Sequence, residues 1–184
     1  MRHPNILNKD TSCLLVIDMQ EPFLRGIFER DRVVENVCKL IAAAKVCGVP
    51  IVTTLQYPEK MGGSIPEIAG MLSADESIGK TTFSCVGVPA FDVRLRDLAC
   101  KQIIICGVES HICVAQTVLD LLHHDYQPHF AADAISSRTS KNWKLGLKKM
   151  EQAGALIAST EGAIFELIGD ARSAEFKGLL PVVK

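Results

Sequence analysis

Short apolar runs alternate with longer amphipathic stretches along this chain, a pattern that predicts βαβ units on a mainly parallel sheet. Cys13–Ile17 is a nearly unbroken apolar run of strand length, as a strand covered on both faces should be, so it is expected at the centre. Val33, Val34, Val37, Leu40, Ile41 and Ala44 recur at helical spacing, and Gly48 and Pro50 end that helix before a second strand at Ile51–Thr54. Tyr57–Gly79 contains Pro58, Gly62, Gly63, Pro66 and Gly70 and no sustained period. It reads as a long excursion with one short helix, the kind of segment that often walls an active site. Beyond it, Pro89 opens a helix to about Ala99, Gln102–Cys106 is a strand ended by Gly107, and Ile112–Leu122 has helical spacing. A strand near His129–Ala132, a helix over Asn142–Ala153, a strand at Leu156–Ser159 and a last helix at Gly162–Ile168 repeat the scheme. The expectation is a single domain over residues 1–184: a three-layer, Rossmann-like α/β/α sandwich around a mainly parallel six-stranded sheet. In such open sheets ligands bind beyond the carboxyl ends of the strands, so chemistry is expected at that rim.

Composition narrows the partners. A chain of 184 residues can bury one adequate core without staples. With 48% hydrophobic and 22% charged residues and a formal net charge of -1, nothing global draws it to nucleic acid or anionic lipid. No segment approaches a membrane span, and Met1–Thr11 lacks an apolar stretch of signal length. Seven cysteines, several inside apolar runs and none in a CxxC pair, suit a reducing compartment and make a structural metal improbable. The expected location is the cytoplasm, with an organelle such as the mitochondrion as the alternative. His123, His124 and His129 do not suggest a metal site, because consecutive helical residues point about 100° apart. They read as surface residues.

The candidate chemistry sits at strand ends. Asp18 directly follows the first strand, and Cys113 falls in the first turn of the helix after Gly107, where a helix dipole would lower a thiol pKa. Taken singly, each has a plainer reading. A cysteine in an amphipathic helix is more often a small buried apolar residue, an aspartate after a strand is more often a turn or cap, and most lysines such as Lys80 are solvated.

Taken with their neighbours they form three segments: Leu14-Leu15-Val16-Ile17-Asp18-Met19-Gln20, Lys80-Thr81-Thr82-Phe83-Ser84, and Gly107-Val108-Glu109-Ser110-His111-Ile112-Cys113-Val114. In order and separation these resemble the signature segments of the isochorismatase-like cysteine hydrolases. Asp133-Ala134-Ile135-Ser136-Ser137-Arg138 and Ser159-Thr160-Glu161 extend the resemblance from Thr11 to about Lys177. Gln56-Tyr57-Pro58 and Gly169-Asp170 bring it closest to the isochorismatase domain-containing proteins. The resemblance implies a catalytic triad of Asp18, Lys80 and Cys113 acting on a small amide or carbamoyl compound through a thioester. Lys80 would stabilise the thiolate and Asp18 would move the proton. It also implies a cis peptide between Val108 and Glu109, with the Glu109 and Cys113 N–H groups forming an oxyanion hole. Gln20, Phe23, Tyr57 and His111 are candidate pocket walls.

Departures from the family pattern are informative. Nicotinamidases of this superfamily bind a metal through an Asp-x-His pair, where this chain has Leu55 and Tyr57, so no metal and no cofactor are expected. Glu21-Pro22 stands where many relatives have Asn-Asp, which alters the pocket floor. Retention of Cys113 favours a cysteine hydrolase over the non-covalent isochorismate-cleaving members. Two other readings stay open. One is nucleic-acid processing, since proteins of this subgroup have carried a ribonuclease label and Arg138, Lys141, Lys144, Lys148 and Lys149 cluster around Trp143. The other is a silent oligomeric interaction module. Expected partners are a small-molecule substrate and further copies of the chain, as a dimer or larger, with neither nucleic acid nor membrane.

Overall fold

The computed structural model describes residues 2–72 and 77–183. Its order is β1 (Ser12–Ile17), α1 (Glu21–Leu24), α2 (Arg30–Cys47), β2 (Ile51–Gln56), α3 (Pro58–Met61), α4 (Pro66–Ala69), β3 (Ser77–Lys80), α5 (Pro89–Leu98) and β4 (Gln102–Val108). After a π-helical turn at Ser110–Val114 come α6 (Ala115–His123), β5 (Gln127–Ser136), α7 (Ser140–Gln152), β6 (Leu156–Ala158), α8 (Thr160–Ile168) and α9 (Ala174–Val183). The six strands form one all-parallel sheet in the order β3-β2-β1-β4-β5-β6. Among the described residues, no helix is long and apolar enough to cross a membrane.

Alternation along the strands builds two cores. On β1, Leu14 and Val16 face α2 and α8, whereas Cys13, Leu15 and Ile17 face α5, α6 and α7. Every residue of β1 and β4 is buried, which is why both read as apolar runs instead of alternating patterns. The three-layer sandwich expected from the sequence is therefore present, and its sheet is wholly parallel.

Several details differ from the sequence reading. The excursion at Tyr57–Gly79, of which residues 73–76 lie outside those described, carries two short helices and ends in a strand that the sequence pattern does not place. That strand, β3, has no apolar run because it is an edge strand paired only with β2. The last helix is α9, not α8; Pro181 inside α9 masks it in the sequence. His129 is not at the surface but 2% exposed within β5.

The sheet reverses its order of construction at β1 and β4: the chain runs outward through β2 and β3, then returns to the other side of β1. The crevice outside their carboxyl ends is the switch point where parallel sheets bind ligands. A close approach defines this crevice. Gly107 has φ +112, and a Cβ there would lie 2.1 Å from the Ile17 main-chain oxygen, so only glycine lets β4 leave the sheet beside β1.

Candidate active site

Four strand ends deliver side chains to this crevice. Asp18 leaves β1 in the left-handed region at φ 52 and is 1% exposed. Its Oδ1 accepts from Thr54 Oγ1 at 2.9 Å and its Oδ2 from Lys80 Nζ at 2.7 Å. Lys80 is the last residue of β3, and its ammonium is wholly buried. Nζ also donates to Gln56 Oε1 at 2.6 Å and to the main-chain oxygens of Thr82 and Phe83 at 3.3 and 3.2 Å. The lysine is thus no solvated loop residue, and the satisfied ion pair offsets the cost of burying either charge alone.

Gln56, at the end of β2, is a site residue that sequence reasoning missed. Its Oε1 lies between Lys80 Nζ and Cys113 Sγ, 4.0 Å from the sulfur, while Nε2 donates to Thr81 O at 2.8 Å. Gln20 holds it there: Gln56 N–H donates to Gln20 Oε1 at 2.7 Å, and Gln20 Nε2 donates to Gln56 O and Gly62 O. Completely buried, Gln20 is a bracket behind the site and not a pocket wall.

Cys113 belongs to the π-helical turn, not to the first turn of α6, and is 7% exposed. The turn is set by α7: a Cβ on Gly146 would lie 2.6 Å from Ser110 Oγ and its carbonyl carbon, so only glycine lets α7 pack this close. Contrary to the sequence expectation, the Cys113 thiol pKa is pushed up to about 12. Burial is the main cause and the Asp18 charge the second, with Lys80 opposing them. A helix terminus cannot overcome these effects when the nearby cation is already paired with a carboxylate.

The cleft over Cys113 has a volume of about 420 Å³. Asp18, Gln56 and Cys113 form its floor with Val108 and Glu109; Pro22, Phe23, Gly26, Phe83, Ile112 and Arg138 complete its walls. Of the four candidate wall residues only Phe23 lines it. Tyr57 stands 37% exposed, its ring covered by Lys60, while His111 Nδ1 pairs with Ser137 Oγ at 2.9 Å. A cis peptide joins Val108 to Glu109, and both Glu109 and Cys113 border the cleft. Trp143 does not stand free for stacking: Arg32 lies over its ring at 4.9 Å, Phe28 packs at 5.7 Å, and Nε1 donates to Ala132 O.

The isochorismatase domain model matches residues 12–162. The chain belongs to the isochorismatase family. Among its relatives, the secreted isochorismatase effector Isc1 of Phytophthora sojae is 37% identical over 179 residues, 95% of this chain and 85% of that protein. Isochorismatase domain-containing protein 2 of Xenopus laevis is 33% identical over 186 residues, covering 100% of this chain and 88% of the relative. A solved structure titled MAR1 ribonuclease from Caenorhabditis elegans superimposes with a TM-score of 0.90 at 32% identity, over 96% of this chain and 91% of that one. Isochorismatase-family membership supports a hydrolase.

Proposed function

We propose that this isochorismatase-family chain is a cysteine hydrolase of small amides or carbamoyl compounds, with Cys113 as nucleophile and Asp18 as proton carrier. The observation that carries the reading is the meeting of a buried thiol with the Asp18–Lys80 ion pair on one small cleft. Because the thiol is protonated, attack and proton transfer go together: Sγ bonds to the carbonyl carbon while its proton passes to Asp18. Asp18 returns that proton to the departing nitrogen as the C–N bond breaks, leaving a thioester and an amine or ammonia. Water then gives a proton to Asp18, its oxygen bonds to the acyl carbon, and the sulfur leaves and takes the proton back. Lys80, held by four acceptors, acts through Asp18 by fixing its orientation. The Glu109 and Cys113 N–H groups are the donors assigned to the oxyanion, an effect worth about 3 kcal/mol each when aligned.

A ribonuclease reading follows the name of the C. elegans structure and the exposed Lys141, Lys144, Lys148 and Lys149 on α7. The locked Trp143 gives bases no stacking platform there, so we favour the hydrolase reading. p-Nitrophenyl acetate tests it without knowledge of the substrate. A burst of nitrophenolate with a single acetyl group on Cys113, lost in Cys113→Ala and slowed in Asp18→Asn, is the expected result. Acetylation spread over the seven cysteines would overturn it, whereas success justifies a screen of primary amides and carbamoyl compounds for ammonia release.

A further inference from the structure

Seven cysteines are present, and two of them meet away from the Cys113 cleft. Cys13 is the second residue of β1 and wholly buried, on the face that also carries Leu15 and Ile17. Cys100 lies between α5 and β4 and is 8% exposed. Two main-chain bonds fold this connection onto the start of β1: Lys101 N–H and Gln102 N–H both donate to Thr11 O, at 2.8 and 3.0 Å. From there Ser12 pairs with Gln102 and Cys13 with Ile103 in parallel register. The two side chains enter one core, and their thiols are hydrogen-bonded to each other. That bond is the first cause of a raised Cys13 pKa, with burial second, and of a lowered Cys100 pKa, which burial opposes. Cys13 therefore keeps its proton and donates, and Cys100 is the more acidic thiol.

Access comes from the surface beside α5. Tyr126, which precedes β5, packs on this core, and its phenol pKa is raised by burial and then by the nearby Cys100 and Cys13. It also walls a surface cavity of about 570 Å³ together with Asp92, Leu95, Arg96 and His124. The Cys113 site is elsewhere: Asp18 stands five residues further along the chain from Cys13, roughly 16 Å away at about 3.3 Å per residue of strand. A disulfide requires two sulfurs that face each other over a short span between backbones, and this hydrogen-bonded pair on neighbouring segments has that arrangement. We propose that Cys13 and Cys100 form a peroxide-oxidisable dithiol, a modification site that closes to an intramolecular disulfide and reopens with a thiol reductant. The Cys100 thiolate attacks one oxygen of hydrogen peroxide: an S–O bond forms, the O–O bond breaks, and the departing hydroxide becomes water with the proton that Cys100 released. The Cys13 sulfur then attacks the Cys100 sulfenic acid; the S–S bond forms, the S–O bond breaks, and the hydroxyl leaves as water with the Cys13 proton. Two thiols are oxidised by two electrons and one peroxide is reduced to two waters. The bond joins the starts of the two central strands, and it needs nothing from the hydrolase reading.

Peroxide titration with peptide mapping tests this. The reduced full chain is treated with hydrogen peroxide near neutral pH and sampled over time; remaining thiols are blocked with N-ethylmaleimide in denaturant, and peptides are mapped without reduction. A linked Cys13–Cys100 peptide should accumulate about tenfold faster than Cys38 is oxidised, the effect of roughly one pH unit in thiol acidity. Cys38 is the stringent comparison because it is the one cysteine that is not buried. The linked peptide should form alike in the wild type and in Cys113→Ala, and dithiothreitol should remove it. In Cys13→Ala the reaction should stop at a Cys100 sulfenic acid that dimedone traps, whereas Cys13 in Cys100→Ala should stay reduced. Absence of the linked peptide from the wild type overturns the proposal, as does its formation no faster than Cys38 oxidation, which would make exposure the governing factor. Dimedone trapped at Cys13 in Cys100→Ala would overturn the assigned order of attack.

Discussion

Replacing Asp18 by Asn should make Cys113 more acidic while abolishing hydrolysis, two effects in opposite directions from one substitution. The thiol pKa stands at about 12 against an ordinary 9.0. The thiol is therefore held protonated at neutral pH. Burial is the larger cause and persists in the variant; the Asp18 charge and its hydrogen bond to the thiol are removed. Lys80 is then left without its carboxylate partner and adds to the same trend. A fall of about one to two pH units is expected, a gain of about ten- to a hundredfold in thiolate at a given pH. Asn tolerates the left-handed backbone at φ 52, so the main chain need not move. The assay is the rate of iodoacetamide labelling at Cys113 from pH 7 to about 9, where a lower thiol pKa appears as faster alkylation at each pH, quantified by peptide mapping. Free glutathione serves as the reference thiol. A Cys113 alkylation rate that is unchanged or slower in Asp18→Asn would refute the coupling and, with it, Asp18 as the acceptor of the thiol proton.

Other perturbations test the framework around the site. Lys80→Met strands a buried carboxylate and should cost about 3–5 kcal/mol in urea unfolding, most of it recovered in the Asp18→Asn/Lys80→Met double variant. Full additivity of the two losses would contradict a direct pair. Gly146→Ala forces a Cβ into Ser110 and should cost about 1–3 kcal/mol. It should also lower the acetylation burst by displacing the turn that bears Cys113; an unchanged burst would show that α7 does not set that turn. His129, whose Nε2 lacks a hydrogen-bond partner among the described residues, has its pKa lowered by burial from 6.5 to about 4. The unfolded chain therefore takes up its proton first as pH falls. Stability should drop between pH 6.5 and 4 by about 1.4 kcal/mol per unit, roughly 3 kcal/mol in all, and level off below. In His129→Leu this slope should disappear from urea midpoints measured across the range, and persistence of the slope would assign it to another group.

Periodicity exposed the parts of the fold whose burial is uniform. β1 and β4 are covered on both faces and announce themselves as apolar runs, and α2 shows its buried stripe with Gly48 closing it at φ 68. β3 was illegible because Ser77-Ile78-Gly79-Lys80 has neither run nor alternation; its pairing with β2 makes it a strand. The motifs identified Asp18, Lys80 and Cys113 as a set, but not the state of the thiol. That state depends on burial and on the pairing of Lys80, which are tertiary facts. Gln56 was hidden by a boundary: the sequence ends β2 at Thr54, so the rule that selected Asp18, the residue directly after a strand, selects Leu55 instead. Gln20 and His111 lie in the same motifs as the cleft residues, yet their hydrogen bonds brace Gln56 and Ser137 instead. Proximity in a motif does not tell bracing from lining.

The Asp18–Lys80 pair also bears on whether the site is used. Two charges removed from water cost several kcal/mol each before their attraction is counted, and well-packed apolar residues of similar size would serve stability at least as well. Here the pair is completed by Thr54, Gln56 and two main-chain oxygens, a full set of partners around it. Asp18 additionally occupies a left-handed backbone position that ordinary residues avoid. A module serving only as an interaction surface gains nothing from that arrangement. A protein that must take a proton from a buried thiol and return it requires an acceptor held at that spot, with its charge balanced from behind. The energetic burden thus argues for chemistry at Cys113 and against a silent scaffold.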